Sequence, residues 1–172
     1  EAGQSEIALV GGSHNAERPD LLMLYEFGGF ALKDKFEPVW KREAHPGFAL
    51  ASLGAFLVME SRAHAEARGA KRIAKLSTVL SDRCQRKPGD VTASLTRLWG
   101  KISGRLQPGK AAILSGACGT APATAEERAF LGEHQDIAVR ATGTYVGHAF
   151  EPQFLMNVAL RSEEHTSELQ SP

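Results

Sequence analysis

ILSGACGTAPATAEERAF, residues 113–130, reads as a strand that ends in a glycine-punctuated turn and restarts as a helix. A turn at the carboxyl end of a strand is where open α/β sheets place their chemistry. Only Ser115, Cys118 and Thr120 in this turn carry side chains able to react. The fold class and the nature of the site both hang on this stretch.

Working outward, EIALVGG (6–12) reads as a short buried strand closed by a Gly-Gly turn, and PDLLMLYEF (19–27) as a short helix with Leu21, Leu22, Leu24 and Tyr25 inward. Residues 28–47 form a Gly/Pro-punctuated loop. In GFALASLGAFLVME (47–60) the run F-L-V-M is β-like, and SRAHAEARGA (61–70) follows as a helix capped by Ser61 and stopped by Gly69. KRIAKLSTVLS (71–81) returns as a strand, and DVTASLTRLWGKI (90–102) is an amphipathic helix opened by Asp90. KAAILSG (110–116) and IAVRA (137–141) are strands around the helix TAEERAFLGEH (124–134), and 148–160 is apolar and helical. Strands alternating with helices predict an α/β layered architecture.

The 172 residues are one domain's worth of chain. Lys plus Arg and Asp plus Glu are equal at 20 each, so no electrostatic case exists for a nucleic-acid or anionic-membrane partner. No run approaches the roughly 18 apolar residues of a membrane helix, and no basic, hydrophobic leader is present. A cytoplasmic protein is expected, with Cys84 and Cys118 as reduced thiols. The six histidines are scattered and no C-x-x-C or H-E-x-x-H occurs, so neither a metal nor a cofactor is expected. RSEEHTSELQSP (161–172) is almost wholly polar and without period. It resembles a translated sequencing-library adapter and is set apart as a non-native tail. The remaining domain, 1–160, starts abruptly at a strand, which reads as a fragment lacking its N-terminal half.

Three stretches together resemble one family, the β-ketoacyl-acyl carrier protein synthases. GFALASLGAFLVMESRAHAEARGAK (47–71) is similar to the family's G-F-V-x-G-x-G-A-G-x-L-V-L-E-x-x-x-H-A-x-x-R-G-A-K. SGACGTAPATAEE (115–127) falls where the family has H-G-T-x-T-P-x-x-D-x-x-E, and TGTYVGHAFEPQF (142–154) where it has T-K-x-x-x-G-H. The segment Glu60–Lys71 is the specific piece; G-H by itself carries no weight. The resemblance implies the C-terminal half of a thiolase-like layered fold, a mixed sheet with helices on both faces. It also implies fatty-acid or related acyl-chain synthesis by decarboxylative Claisen condensation. The implied partners are an acyl carrier protein bearing acyl or malonyl thioester and a second ketosynthase in a homo- or heterodimer.

For the site, the resemblance implies His148 as the surviving histidine of the catalytic pair and Ser115 at the position of the other. Substrate contacts are implied at Gly116, Gly147 and Phe150. Ser115 can donate a hydrogen bond but cannot act as a base or cation near neutral pH. The family's lysine falls on Gly143, and the glutamate that pairs with it on Asn157. Losing one member of a buried ion pair costs about 3–5 kcal/mol, whereas losing both can be nearly neutral. The pattern resembles chain-length factors, catalytically silent subunits that work beside an active partner. A fully active ketosynthase with divergent residues, or a thiolase-like acyl-CoA enzyme using Cys118, is the alternative. His64 is read as structural, and His14, His45 and His134 as loop or helix-end residues.

Overall fold

The computed structural model describes residues 5–33, 35–85, 87–107 and 109–168. The described residues fold as two compact units: those of 5–15, 52–77 and 149–168 form one, and those of 16–51 and 78–148 the other. The fold is α/β, as expected.

In the first unit β1 (Ile7–His14) pairs antiparallel with β2 (Leu53–Glu60), in register from Ile7 opposite Glu60 to His14 opposite Leu53. The helix α6 (Glu151–Glu168) packs on this pair, with Gly12 facing Pro152. Alternation along a strand sends neighbours to opposite faces. Ala55 is accordingly buried, while Leu9, Phe56 and Val58 remain more than half exposed on the other face. The expectation of a buried strand at 6–12 is therefore corrected: one helix covers one face of a two-stranded sheet, and the alternate residues stay outside. Between the strand and its next helix, α2 (Arg62–Ala67), Ser61 caps as expected, its hydroxyl accepting from the His64 N–H at 3.2 Å. α6 continues past the expected helix end at 160, to Glu168; Leu169 and the residues after it lie outside the described residues.

In the second unit β3 (Ala112–Ser115) runs parallel to β4 (Ala138–Ala141), Ser115 opposite Ala141. Around them stand α1 (Pro19–Phe27), α3 (Asp90–Ile102), α4 (Ala123–Gly132) and the short α5 (Gly143–Val146). A single 3₁₀ turn, Val39–Lys41, interrupts the segment expected to be all loop, and its Val39 is 1% exposed against Ala117 and Ala141. α3 and α4 are joined in two places. The Glu126 carboxylate accepts from the N–H groups of Gly89, Val91 and Thr92 (2.9, 3.0 and 3.1 Å), supplying from another helix the cap that α3 lacks in its own sequence. At the far end His134 stacks on Trp99 with ring centroids 4.3 Å apart and meets Phe130 edge-on. This corrects its reading as a plain helix-end residue: the turn that follows α4 folds it onto α3.

Two further expectations fail. Leu22 and Leu24 of α1 are exposed, not inward, and no strand forms at 71–81, where Ile73, Leu76, Val79 and Leu80 are exposed. An apolar run becomes a strand only where another strand exchanges main-chain hydrogen bonds with it, and no described segment pairs with 71–81.

Candidate functional site

The site is built in the second unit, where two parallel strands deliver two turns to one sheet end. β3 passes into the turn 116–122 and β4 into α5 and then Gly147-His148. The two turns are stitched at their origin, the Thr142 N–H and hydroxyl both donating to the Ser115 carbonyl at 3.4 Å.

Ser115 is 2% exposed. Its hydroxyl donates to the Glu127 carboxylate at 2.5 Å and accepts from the Ala117 N–H at 3.0 Å. Burial pushes the Glu127 carboxyl above its ordinary value, and the Ser115 hydroxyl opposes that rise. The hydroxyl at the position of the resembled histidine is thus spent on α4.

The next residues explain how the turn is held. Gly143 is buried directly under the turn: a Cβ there would stand 2.8 Å from the Ala117 carbonyl oxygen and 3.2 Å from Val39 Cγ2. Where the resembled family has a lysine, this chain closes main chain against main chain. Beneath Gly119 lies Arg42, itself 2% exposed. Its Nε donates to the Glu37 carbonyl at 2.8 Å and its Nη1 to the carbonyls of Gly47 and Cys118 at 3.2 and 3.0 Å. Gly119 has φ 100°, and a Cβ there would meet the Gly47 carbonyl at 2.5 Å, so only glycine fits. Cys118 Sγ lies 3.3 Å from the Thr120 hydroxyl, which supplies neither a base nor a cation to the thiol.

His148 is fixed through its main chain. Its N–H donates to the Ala49 carbonyl at 2.7 Å and its carbonyl accepts from Ala51 at 3.0 Å, while its ring lies 5.4 Å from that of Phe48. Gly147 before it is buried at φ 78°, and a Cβ would stand 2.7 Å from the Ala49 oxygen. Gly116 is exposed with open space where a side chain would go. Phe150 belongs to the first unit. It takes φ 55°, and its ring lies 5.1 Å from that of His14.

The solved structures similar to this chain are decisive for the fold. One is a type II PKS acyl-carrier protein in complex with its ketosynthase bound to the hexaketide (TM-score 0.72, 22% identity, 92% of this chain and 43% of that one). Another is the ishigamide ketosynthase/chain length factor (TM-score 0.70, 21% identity, 93% and 41%). This chain has the fold of part of those chains. A third similar structure is the oxazolomycin ketosynthase domain of Streptomyces albus (TM-score 0.62, 20% identity, 91% and 30%). The chain spans less than half the length of each of these ketosynthase chains. No protein-family model and no curated protein matches it. No helix among the described residues is long and apolar enough to cross a membrane.

Sequence reasoning placed the two turns of this site but missed Arg42 and Glu127. Arg42 is one charge within a charged loop, and nothing local marks it for burial. Glu126 and Glu127 are adjacent acids whose different fates depend on which way each faces from α4.

Proposed function

We propose that this protein is a ketosynthase-like subunit of fatty-acid or related acyl-chain synthesis. On this reading it corresponds to the C-terminal portion of such a subunit, its own catalytic pair is depleted, and it works in the cytoplasm beside an active ketosynthase. Its substrates are thioesters presented by an acyl carrier protein. The observation that carries the reading is the bond from the Ser115 hydroxyl to Glu127.

Condensation begins with loss of carbon dioxide from a malonyl thioester. The carbon–carbon bond breaks, and the electron pair moves onto an enolate whose oxygen needs strong donors or positive charge. Of the two imidazoles in the resembled family, His148 remains. Ser115 offers a neutral hydroxyl already donated to a carboxylate, and the position of the lysine is closed at Gly143. Loss of one oxyanion donor costs roughly 10²–10³ in rate. His148 and the glycines beside it then serve to shape or line a path for the acyl chain.

The test is malonyl decarboxylation by the purified full-length protein without any partner. Very weak turnover, insensitive to His148→Ala, is expected. Turnover like that of an ordinary ketosynthase, abolished by His148→Ala, overturns the silent-subunit reading and makes the protein an enzyme in its own right.

A further inference from the structure

The second unit contains a cleft of about 380 Å³ that neither Ser115 nor His148 lines. Its walls are Trp40 and Pro46 on one side and Ala125 of α4 on the other, with Thr120 at the turn and Arg42 and Arg128 as its cations. The two arginines differ. Arg128 is exposed, donating to the Trp40 carbonyl at 3.0 Å and lying 3.5 Å from Glu43, itself an exposed carboxylate.

Arg42 is buried and spends Nε and Nη1 on three main-chain carbonyls, while its buried Nη2 has no hydrogen-bond partner. No carboxylate among the described residues forms an ion pair with it. The Phe36 ring, its centroid 4.9 Å from the guanidinium carbon, compensates part of the charge, but a ring face does not replace the hydrogen bond that a buried donor ordinarily has. Burial pushes the Arg42 guanidinium below its ordinary value, with the Cys118 and Glu37 groups opposing that fall. Gly119 packs on its side chain, a Cβ there being 2.8 Å from Arg42 Cδ, so the cation is held in place.

We propose that this cleft binds a small carboxylate with a short aliphatic body. The Nη2 edge of Arg42 takes the carboxylate, Arg128 screens it at the rim, and Trp40, Pro46 and Ala125 cover the hydrocarbon. A planar guanidinium edge with a spare donor matches a planar carboxylate, and the mostly apolar walls favour a short chain over a bare ion. Since Nη2 is itself buried, binding includes a side-chain movement in the wall.

The experiment is titration of the chain with butyrate, its neutral isostere butyramide, and inorganic phosphate, followed by calorimetry and by the NMR signal of the Arg42 side chain. Butyrate is expected to saturate and to shift the Arg42 signal, with butyramide and phosphate at least about tenfold weaker, the size of a lost charge-assisted bond. Arg42→Lys, which keeps the charge but loses the planar edge, is expected to weaken butyrate about tenfold or more. Arg128→Gln, an exposed change that leaves folding alone, should weaken it about threefold, as befits a rim charge. Should Arg42→Lys fail to fold, the butyrate-to-butyramide contrast and Arg128→Gln decide. No saturation by butyrate, equal binding of butyramide or phosphate, or variants that bind like the parent overturns the proposal.

Discussion

Gly143 lies so close beneath the turn after β3 that a Cβ on it would stand 2.8 Å from the carbonyl oxygen of Ala117. In an open helix, Gly→Ala stabilises by roughly 0.5–1 kcal/mol. Here the opposite sign is expected: Gly143→Ala and Gly143→Lys should each destabilise by about 1–3 kcal/mol, the usual cost of overpacking. Urea unfolding of the two variants checks this. An alanine variant as stable as the parent would mean that the turn can yield, and the lysine of the resembled family could then be restored here.

The Ser115–Glu127 bond predicts a pH dependence. Because burial raises the Glu127 carboxyl on folding, its contribution to stability is fully present below its ordinary value of 4.5 and is lost as pH rises through the raised value. Glu127→Gln keeps an acceptor for the Ser115 hydroxyl and removes the titration. Its stability relative to the parent should therefore increase as pH rises above the ordinary value of 4.5. A difference that stays flat across this range, measured by urea midpoints, would remove burial as the dominant effect.

Glu60 predicts the reverse slope. Its carboxylate bonds Arg68 through Nε at 2.8 Å and through a second, shorter contact from Nη2, and it lies 3.0 Å from His64 Nδ1. Arg68 first, then His64, hold its carboxyl down to about 2. A carboxyl lowered on folding contributes stability above its ordinary 4.5, and this is lost as pH falls toward 2. A carboxyl titration followed by NMR should give a Glu60 midpoint near 2, and Glu60→Gln should flatten the acid limb of the stability curve.

Glu126 caps α3 from α4, so its removal should be felt at a distance in sequence. In Glu126→Ala the amides of Val91 and Thr92, which donate to this carboxylate at 3.0 and 3.1 Å, should exchange with solvent distinctly faster than in the parent. Amides in the last turn of α3 serve as the internal control. Equal acceleration at both ends would point to general loosening and not to a lost cap.

Phe150 takes φ 55°, a left-handed conformation that costs an ordinary residue about 1–2 kcal/mol and glycine almost nothing. Both Phe150→Ala and Phe150→Gly lose the ring contact with His14, but only glycine relieves the backbone. Phe150→Gly should be the more stable of the two by about 1 kcal/mol, the reverse of the usual order. Thermal unfolding of the pair reads the difference directly.

Sequence alone carried the local choices: the N-cap at Ser61, the helix 90–102 with its observed bounds, and the strand–turn–helix order of 112–132. It also carried the resemblance to a family whose fold the structure has. These are readable because propensity, capping and glycine punctuation act within a few residues. The tertiary structure decided everything that depends on a neighbour distant in the chain. An apolar stretch at 71–81 is a strand only if another strand lies beside it, and β1 is buried only if both of its faces are covered. Whether Ser115 faces a substrate or Glu127, and whether position 143 admits a side chain, depends on how β3, β4 and α4 pack. Burial and hydrogen-bond pairing are properties of what comes together in space, and Arg42, one charge in a charged loop, acquires its meaning only there.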